Sequence, residues 1–374
     1  MSGGGGGGPI PPVDLGVQHA AIADEVAAGF AAVFGKTAFI LGPAVKEFEA
    51  AYAAFIGARH CIGVANGTDA LELALRAAGA DGDAEVLLPA NTFIATALAV
   101  VRAGARPVLV DCGPDHHLID LEQAAARVTR RTRFLMPVHL YGQMAPTEQV
   151  EALARAHGLT VIEDAAQAQG ARRHGRAAGT IGRAAGTSFY PGKNLGAYGD
   201  AGAVTTDDDA LAARVRALRN YGSEVKYHHP ELGFNSRLDT LQAVVLAAKL
   251  KRLGGWNEAR RAAAGRYDAL LADLPAVTPP RTLAGNEHVF HLYVVRVPNR
   301  DEVVKRLNAD GIGAQIHYPV PIHLQGAFAH LGLGPGSFPV AEKAAREILS
   351  LPMYPEITAE QQARVVASLR RALG

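Results

Sequence analysis

The sequence predicts an α/β fold, in which a mainly parallel β-sheet is covered by helices on both faces and is followed by a smaller α+β unit. The first observation is alternation: between residues 61 and 163, short apolar segments of strand length are separated by segments with helical apolar spacing. Such alternation is typical of βαβ units. The second observation is a change of pattern near residue 276, after which a shorter set of mixed strands and helices follows.

The predicted elements can be placed along the chain in order. Two helices come first, at residues 23–34 and 44–55. The alternating region has strands at 61–65, 85–89, 106–111, 134–138 and 160–163. The helices between these strands lie at 68–78, 94–103, 121–128 and 147–157, and Gly158 closes the last of them. Strands at 186–190 and 202–206 bracket a glycine-rich loop, and a long helix follows at 238–253. The C-terminal unit has strands at 288–297 and 314–317 and helices at 301–309, 341–348 and 359–373.

These elements divide the chain into three parts. The glycine run at residues 3–8 has no side chains to bury and much backbone entropy to lose, so we expect residues 1–11 to be disordered. Residues 12–255 are expected to form a large domain, and residues 256–374 a small C-terminal domain.

Composition argues against several classes of function. A net charge of +1 does not favour a bulk electrostatic grip on nucleic acid or on an anionic membrane, so local groups must hold any anionic substrate. The two cysteines, Cys61 and Cys112, provide no disulfide framework and fit buried thiols in a reducing compartment. The N-terminus lacks the pattern of a signal peptide, and the apolar segment 95–101 is too short to span a bilayer. We therefore expect a cytoplasmic protein.

An acidic residue stands where a predicted strand ends. The apolar strand at 160–163 delivers Asp164 at its carboxyl tip, and in parallel sheets ligands bind outside this edge. A carboxylate there can pair with a cationic ring nitrogen. The chemistry of pyridoxal 5'-phosphate (PLP) requires such a pair, because the protonated pyridine acts as an electron sink. Considered alone, Asp164 could equally cap a following helix.

A lysine lies in the glycine-rich loop after the strand at 186–190. Lys193 is flanked by small and apolar residues and has no acidic neighbour in the sequence until Asp200. An amine that forms a Schiff base needs a lowered pKa and freedom to swing between cofactor and substrate. The alternative is a solvated surface lysine, the usual fate of this residue type. The small and apolar neighbours weaken that alternative.

Two further turns follow strand ends. Gly67 and Thr68 lie at a strand-to-helix turn, where backbone N–H groups and a hydroxyl can bind a phosphate, although Thr is also a common helix N-cap. Phe93 follows the strand at 85–89 and could stack on a planar ring, although the core is the ordinary place for this residue. Taken together with Asp164 and Lys193, these residues form an ordered set at the carboxyl edge of the sheet. Their order and spacing resemble those of fold-type I PLP enzymes, and this resemblance implies one PLP site.

Several strings of residues resemble the DegT/DnrJ/EryC1/StrS sugar aminotransferases, a family of fold-type I PLP enzymes. They follow the family's order from about residue 12 to the C-terminus: NGTDAL at 66–71, HLYG at 139–142, EDAAQ at 163–167, SFYPGKNLG at 188–196, RNYG at 219–222, NSRLD at 235–239 and HYPVPIH at 317–323. The resemblance implies a large domain with a mainly parallel, mixed seven-stranded sheet flanked by helices. It also implies a small C-terminal α+β domain.

The resemblance assigns roles to individual residues. Lys193 would hold PLP as a Schiff base and move protons. Asp164 would pair with the pyridine nitrogen, and Gln167 would contact the ring hydroxyl oxygen. Phe93 would stack on the ring. The groups that bind the phosphate would be Gly67, Thr68, Ser188 and, from the partner subunit, Asn235. The shared phosphate site implies a homodimer with shared active sites.

Substrate contacts are less defined by the motifs. The candidates are Tyr190, Tyr221, His317, Tyr318 and His323. For the turn at 317–323, the alternative is that these residues pack the junction between the domains. Paired histidines at 116–117 and 228–229 lack a spaced carboxylate or cysteine set, so no metal site is expected.

The resemblance implies a ping-pong transamination, with pyridoxamine 5'-phosphate as the intermediate form of the cofactor. L-glutamate would be the amino donor, and a ketone of a nucleotide-linked sugar would be the acceptor. The loop at 190–196 resembles the branch that aminates C3 of a dTDP-3-oxo-6-deoxyhexose, which gives a dTDP-3-amino-3,6-dideoxyhexose. The alternatives are amination of UDP-2-acetamido-3-oxo-glucuronate or of a 4-keto nucleotide sugar.

The sequence disfavours two other classes of protein. One is a non-catalytic regulatory or binding protein that keeps the PLP fold, and the complete set of Asp164, Gln167 and Lys193 argues against it. The other is a Rossmann NAD enzyme, which is disfavoured because no Gly-x-Gly-x-x-Gly follows an early strand.

Overall fold

The computed structural model describes residues 8–374, so the first seven residues of the segment predicted to be disordered lie outside the described residues. For residues 8–11 that prediction is wrong at Ile10. Its side chain is 1% exposed and packs in the core of the C-terminal unit. The Ile10 amide donates to the carbonyl oxygen of Gly311, and the Ile10 carbonyl accepts from the amide of Gly313, both at 2.8 Å. An apolar side chain with a distant partner thus orders the end of a glycine-rich segment.

The helices and strands of the large domain alternate as predicted. The helices are α1 (Leu15–Ala20), α2 (Ala23–Lys36), α3 (Pro43–Ile56), α4 (Gly67–Ala77), α5 (Ile94–Arg102), α6 (Leu121–Ala126), α7 (Thr147–His157), α8 (Asp209–Leu218) and α9 (Thr240–Leu271). The strands are β1 (His60–Val64), β2 (Glu85–Pro89), β3 (Arg106–Val110), β4 (Thr132–Leu135), β5 (Thr160–Asp164), β6 (Arg172–Arg173), β7 (Arg176–Ala177), β8 (Ala184–Ser188) and β9 (Gly202–Thr206). Gly158 ends α7 with a φ of 64°, the left-handed conformation that glycine adopts without strain.

Seven strands form the central sheet, in the order β1-β9-β8-β5-β4-β2-β3. β9 is antiparallel to both of its neighbours, and the other pairings are parallel. Six strands therefore run in one direction and β9 alone opposes them. This arrangement confirms the predicted mainly parallel, mixed seven-stranded sheet.

Both faces of the sheet are buried, and one edge collects the loops that matter for function. One face packs against α4, α5 and α8, and the other against α3, α6, α7 and α9. Because β1, β2, β5 and β8 point the same way, their carboxyl ends meet at one edge of the sheet. The residues that follow these four ends are the predicted phosphate turn, Phe93, the Asp164 turn and the lysine loop.

The C-terminal unit has its own apolar core. Its elements are β10 (Asn286–Glu287), β11 (Tyr293–Arg296), α10 (Arg300–Ala309), α11 (Pro339–Glu347), β12 (Ile348–Leu351) and α12 (Ala359–Leu373). β11 and β12 pair antiparallel, and β10 pairs with β6 of the large domain. Within residues 8–374, no helix is both long and apolar enough to cross a membrane.

Two boundaries in this region differ from the prediction. α9 continues through residue 255 to Leu271, so the expected domain boundary falls inside a continuous helix. The predicted strand at 314–317 is wrong, because only Gln315 pairs there, through an isolated bridge to Ser350. The partner of β11 is instead β12, at the point where the sequence pattern favoured the end of a helix. At the predicted strand 314–317 and at β12, pairing with distant strands overrides the local propensity of the sequence.

A buried acid of the large domain anchors the C-terminal unit. Asp111 follows β3 and is 0% exposed. Its carboxylate accepts the amides of Val340 (2.9 Å) and Ala341 (2.8 Å), in the first turn of α11. Helix N-termini carry unpaired N–H groups and favour negative charge. The amide of Ile322 also donates to the carbonyl oxygen of Ala90 (2.9 Å). The turn at 317–322 is therefore held against the carboxyl edge of the sheet.

Candidate active site

A cavity of about 660 Å³ opens at the carboxyl edge of the central sheet. It brings together most of the predicted site residues: Gly67, Thr68, Phe93, Asp164, Gln167, Ser188, Tyr190, Lys193, His317 and Tyr318. Three predicted residues do not line it: Tyr221, Asn235 and His323.

The N-terminus of α4 forms one end of the cavity. Asn66 caps this helix, and its side chain accepts the amide of Asp69 (2.8 Å). The amides of Gly67 and Thr68 come before that of Asp69 in the first turn of the helix. A Cβ at Gly67 would lie 2.6 Å from the Cβ of Ser188, so this close approach requires glycine. Helix amides beside the hydroxyls of Thr68 and Ser188 suit a phosphate group.

Asp164 lies at the tip of β5 and is 5% exposed. Its Oδ2 accepts from Thr96 Oγ1 (2.7 Å), and its Oδ1 accepts the amide of Ala166 (3.1 Å). Burial raises the pKa of this carboxyl, against the opposing effects of Thr96, Ala166 and the Lys193 charge. The chain continues from β5 to β6 without a helix, so the alternative interpretation of Asp164 as a helix cap is wrong.

The loop that carries Lys193 is anchored on both sides. Phe189 and Leu195 are both 0% exposed and belong to the core between the sheet, α3 and α9. A Cβ at Gly196 would lie 2.1 Å from the carbonyl oxygen of Pro191, so the loop closes this tightly only with glycine. Lys193 is thus presented to the cavity from a tightly closed loop whose two sides are packed in the core.

Electrostatics at Lys193 fit a reactive amine. Desolvation lowers the pKa of the ammonium group to about 8, although the carboxylate of Asp164 acts in the opposite direction. The side chain is partly buried and lines the cavity, so the alternative of a solvated surface lysine is wrong.

The orientation of the Gln167 side chain follows from its hydrogen bonds. Its Oε1 accepts the amide of Tyr141 (2.6 Å), which can only donate. Nε2 therefore faces the cavity, where it donates to Tyr318 Oη (3.0 Å). Tyr141 has a φ of 61° and is followed by Gly142 with a φ of 109°, and this turn aims the Tyr141 amide at Gln167. The amide NH₂ of Gln167 is left as a donor toward a ligand oxygen.

Two aromatic rings lie together at the cavity. The ring centroids of Phe93 and Tyr318 are 5.1 Å apart, with an angle of 35° between the ring planes. Phe93 is 49% exposed, so the alternative interpretation of Phe93 as a core residue is wrong. It precedes α5 and can offer a ring face to a planar ligand.

His317 connects the cavity to the C-terminal unit. Its Nδ1 lies 2.8 Å from Ser350 Oγ, and its carbonyl oxygen accepts from Tyr141 Oη (2.6 Å). Burial, together with the charge of Lys193, lowers the pKa of His317 to about 4. The imidazole is therefore neutral near pH 7 and can exchange hydrogen bonds with a sugar hydroxyl, but it does not provide a charge for a diphosphate.

The predicted substrate contact of His323 is wrong. Its side chain is fully buried, with Nε2 3.0 Å from Glu342 Oε1 and the ring edge-on to Phe338 (4.8 Å between centroids). His323 packs the junction between the domains, which was the alternative interpretation. Tyr221 and Asn235 lie at the surface outside the cavity of this chain. The role of Asn235 in the partner subunit stays a prediction.

Several cavity residues escaped sequence analysis: Thr96, His291, Gln315 and Ser350. Asn194 donates both of its amide protons to Asn257 Oδ1 and the carbonyl oxygen of Val289, so its Oδ1 accepts a proton from His291 Nδ1 (3.3 Å). Thr96, His291, Gln315 and Ser350 belong to no strand-tip motif. Only Thr96 carries a signal, because it follows Phe93 by one helical turn.

The donor set fits PLP. One cavity contains an amine of lowered pKa, a buried carboxylate, an exposed aromatic face and a helix N-terminus beside hydroxyl groups. Each of these matches one part of the cofactor: aldehyde, ring nitrogen, ring face and phosphate. Within residues 8–374, no group of three or more His, Cys, Asp or Glu side chains could hold a metal ion.

Comparison with known proteins gives the same assignment. The model of the DegT/DnrJ/EryC1/StrS aminotransferase family matches residues 20–370. The chain is 49% identical over 347 residues to the dTDP-3-amino-3,4,6-trideoxy-alpha-D-glucose transaminase of Micromonospora megalomicea subsp. nigra, covering 91% of this chain and 92% of the relative. It is 48% identical over 362 residues to a pleiotropic regulatory protein of Geobacillus stearothermophilus, covering 96% of this chain and 97% of the relative. The crystal structure of S. venezuelae DesV in complex with a ketimine intermediate superposes with a TM-score of 0.95 at 45% identity, over 98% of both chains.

These findings confirm the predicted resemblance, fold, enzyme class and cofactor. Aminotransferases of this family depend on PLP, and the cavity contains the groups that would hold it. With the family's motifs gathered at one edge of the sheet and its model matching nearly the whole chain, the protein belongs to the DegT/DnrJ/EryC1/StrS aminotransferase family.

Proposed function

We propose that this enzyme transfers an amino group from L-glutamate to the C3 ketone of a dTDP-3-oxo-6-deoxyhexose and forms a dTDP-3-amino-3,6-dideoxyhexose. The observation that carries transamination is Lys193, an amine with a pKa of about 8 in the same cavity as the buried carboxylate of Asp164. A dTDP-linked 3-amino sugar is favoured by the name of the Micromonospora relative. The cavity volume of about 660 Å³ is in the range of small-molecule sites.

Lys193 is the residue placed to move protons. Near neutral pH part of its population is uncharged, because burial lowers its pKa to about 8, and such a group can serve as base and as acid. When bound, PLP supplies an electron sink for the negative charge on a carbon that loses a proton. Lys193 Nζ then removes the proton from the amino-bearing carbon of the donor. In the second half of the reaction it returns a proton to the carbon that carried the ketone.

The other cavity residues hold the ring in position. Asp164 would keep the proton on the ring nitrogen, and Gln167 Nε2 would donate to the ring hydroxyl oxygen. Phe93 would cover one ring face. The phosphate would lie at the N-terminus of α4, beside Thr68 and Ser188. His317 and Tyr318 would meet the substrate from the side of the C-terminal unit, with Tyr190 at the entrance.

A homodimer with shared active sites is part of the proposal. Asn235 lies at the surface, outside the cavity of its own chain. Near it, Ile40 pairs with Asp239 in a β-bridge, and Ile40 is 49% exposed. The neighbouring rings of Phe34 and Phe39 are 54% and 43% exposed and 6.2 Å apart. Exposed apolar side chains beside the segment expected to act in the partner's site favour association through this surface.

Complementation tests the shared sites. Lys193→Ala and Asn235→Ala homodimers are each expected to be nearly inactive. If the sites are shared, mixing them lets one site of each heterodimer receive both intact residues, so activity returns to about a quarter of wild type at full exchange. Exchange is verified with differently tagged chains. No recovery despite exchange would contradict the shared-site arrangement.

The cellular location is proposed as cytoplasmic. Both cysteines, Cys61 and Cys112, are free and buried, as is ordinary in a reducing compartment. Separation of periplasmic and cytoplasmic fractions, probed with an antibody against the chain, tests this placement.

Substrate choice is tested with a panel of keto sugars. Related enzymes act on dTDP-, UDP- and GDP-linked sugars, so the alternatives remain UDP-2-acetamido-3-oxo-glucuronate and 4-keto nucleotide sugars. The assay follows release of 2-oxoglutarate from glutamate with each keto sugar, and the Lys193→Ala variant serves as the control. We expect the highest kcat/KM with the dTDP-linked 3-keto-6-deoxy sugar. A higher value with a UDP-linked or 4-keto sugar would overturn this choice.

A regulatory role without turnover is the second candidate, because the Geobacillus relative is named a pleiotropic regulatory protein. The complete set of Asp164, Gln167 and Lys193 in one cavity favours catalysis. Purified enzyme is expected to show the visible absorbance of bound PLP, and glutamate is expected to bleach it. Absorbance that glutamate leaves unchanged would favour the regulatory role.

A further inference from the structure

Thr96 contacts the buried carboxylate of Asp164 from α5. Its side chain is 1% exposed, and its Oγ1 lies 2.7 Å from Asp164 Oδ2. An ionised carboxylate can only accept, so the hydroxyl proton of Thr96 points at Asp164. Thr92 Oγ1 lies 2.9 Å from Thr96 Oγ1. Because the Thr96 proton is already used, Thr92 is the donor in that bond. The two hydroxyls form a chain with one direction, which ends on Asp164.

The same helical turn also provides the aromatic face. Phe93 is the N-cap of α5, and its carbonyl oxygen accepts the amide of Thr96 (3.2 Å), which closes the first turn of the helix. Phe93 is 49% exposed at the cavity, whereas Thr96 is buried beneath it. The first turn of α5 therefore fixes the Phe93 ring and the hydrogen bond to Asp164 Oδ2 in position relative to each other.

The carboxylate of Asp164 depends on this bond. Burial opposes its ionisation, and the Thr96 hydroxyl is the leading contribution in the other direction, followed by the Ala166 amide and Lys193. The titratable groups that act on Asp164 from the surrounding elements are Lys193, His139 and Tyr318. Hydrogen bonds to an ionised acceptor are about twice as strong as neutral ones. Without Thr96, one carboxylate oxygen would be buried without this donor.

We propose that Thr96 is a positioning residue for the cofactor: its hydroxyl holds Asp164 ionised and oriented toward the ring nitrogen, and thereby sets the PLP affinity and the protonation of the ring. The inference rests on the proposed function, since Thr96 acts on PLP only through Asp164. It assigns a purpose to a threonine that belongs to no strand-tip motif.

Removal of the hydroxyl tests the proposal. Thr96→Val deletes the donor at similar volume, and Thr96→Ser restores it. The matched control is Thr187→Val, because Thr187 is also buried (3% exposed) and hydrogen-bonded, to Gln169 (2.9 Å), but makes no bond to Asp164. The measurements are the PLP dissociation constant and the pH dependence of the visible absorbance of the holoenzyme.

The expected results differ between the variants. Thr96→Val should raise the PLP dissociation constant about tenfold or more, the loss typical of one hydrogen bond to a charged group. It should also displace the pH dependence of the visible band upward, because Asp164 would hold the proton of the ring nitrogen less firmly and the ring would be a weaker electron sink. Thr96→Ser should stay within about threefold of wild type, and Thr187→Val should leave the spectrum and its pH dependence unchanged.

Each failure has a distinct signature. A wild-type enzyme that neither binds PLP nor absorbs in the visible would overturn the proposed function and this inference with it. A coloured wild-type enzyme with the same affinity and spectrum in Thr96→Val overturns the inference alone. An equal affinity loss in Thr96→Val and Thr187→Val, without a displaced pH dependence of the visible band, also overturns the inference.

If Thr96→Val does not fold, Thr92→Val replaces it, and its PLP affinity is expected to fall by about threefold. An unchanged affinity there overturns the inference.

Discussion

Glutamine in place of Glu163 is expected to destabilise the fold strongly. Glu163 is 0% exposed at the tip of β5. Its Oε1 accepts the amides of Ile181 (2.7 Å) and Gly182 (2.9 Å). Its Oε2 accepts the amide of Gly179 (3.0 Å) and His139 Nε2 (2.8 Å). Because the amide of Ala145 donates to His139 Nδ1 (3.1 Å), the imidazole proton is on Nε2, and all four partners of the carboxylate are donors.

A glutamine side chain can serve only one of the two pairs of donors. Whichever oxygen becomes NH₂ then faces two donors, so two charge-assisted hydrogen bonds are lost. At about 1.5–3 kcal/mol each, the expected loss in the free energy of unfolding is about 3–6 kcal/mol. This is a large fraction of the ~5–15 kcal/mol that is typical of natural proteins.

Urea unfolding of the holoenzyme near pH 7 measures this loss. The matched control is Glu302→Gln, because the ion pair of Glu302 with Arg306 is exposed on α10 (51% and 54% side-chain exposure) and should change the free energy by no more than about 0.5 kcal/mol. A loss below about 1 kcal/mol for Glu163→Gln would refute the reasoning, since it would mean that the four donors find other partners.

Three further predictions follow from the same contacts. Burial raises the pKa of Glu163, but His139 and the backbone amides outweigh it and hold the pKa below that of an ordinary glutamate. The stabilisation of the fold by Glu163 is therefore complete above about pH 4.5 and is lost as the pH falls through the depressed pKa. The free energy of unfolding should then fall less steeply on acidification in Glu163→Gln than in wild type. Gly67→Ala should raise the PLP dissociation constant at least about tenfold, since its Cβ would lie 2.6 Å from Ser188 Cβ, and equilibrium dialysis showing unchanged affinity would contradict the predicted phosphate site. Asp111→Ala leaves the buried amides of Cys112 and Ala341 and the partly buried amide of Val340 without an acceptor. It should cost about 3 kcal/mol or more in urea unfolding, and a cost near zero would show that α11 does not depend on this anchor.

The strand-tip residues could be predicted from the sequence because their placement needs only strand direction. In a parallel sheet the carboxyl ends meet at one edge whatever the order of the strands. Phe93, Asp164 and Ser188 therefore converge in the structure, although nothing in the pattern specifies that β9 is inserted between β1 and β8. The lysine loop follows the same rule, and its glycine at 196 reflects a backbone contact that no other residue would tolerate.

Contacts between distant segments could not be predicted in this way. His323 is adjacent to the cavity turn in the sequence, yet its environment is decided by Glu342 and Phe338, which lie in and just before α11. Ile10 pairs near Gly311, and no local pattern near either residue indicates the other. The long helix was predicted to end at 253, but α9 continues through Gly254 and Gly255, because the cost of about 1 kcal/mol per glycine is small beside the apolar burial along the helix.

Two adjacent residues of β5 have different roles: Glu163 stabilises the fold, and Asp164 would act on the cofactor. Successive side chains of β5 point to opposite faces, so Glu163 enters the network with His139 while Asp164 meets Thr96 at the cavity. The segment at His139 is tied to both: its side chain binds Glu163, and its amide donates to the carbonyl oxygen of Asp164 (3.0 Å).

This double attachment predicts how the two defects differ. Loss of the Glu163 network loosens the strand tip, so Glu163→Gln should weaken PLP binding as well as the fold. The hydrogen bonds of the Asp164 carboxylate remain in that variant, so the pH dependence of the visible band should stay close to wild type. Thr96→Val should instead displace the pH dependence of the visible band, and it should lower the free energy of unfolding less than Glu163→Gln does. A displaced band in Glu163→Gln would show that the two faces of β5 are not separable, and that the side-chain alternation of the strand does not divide their roles.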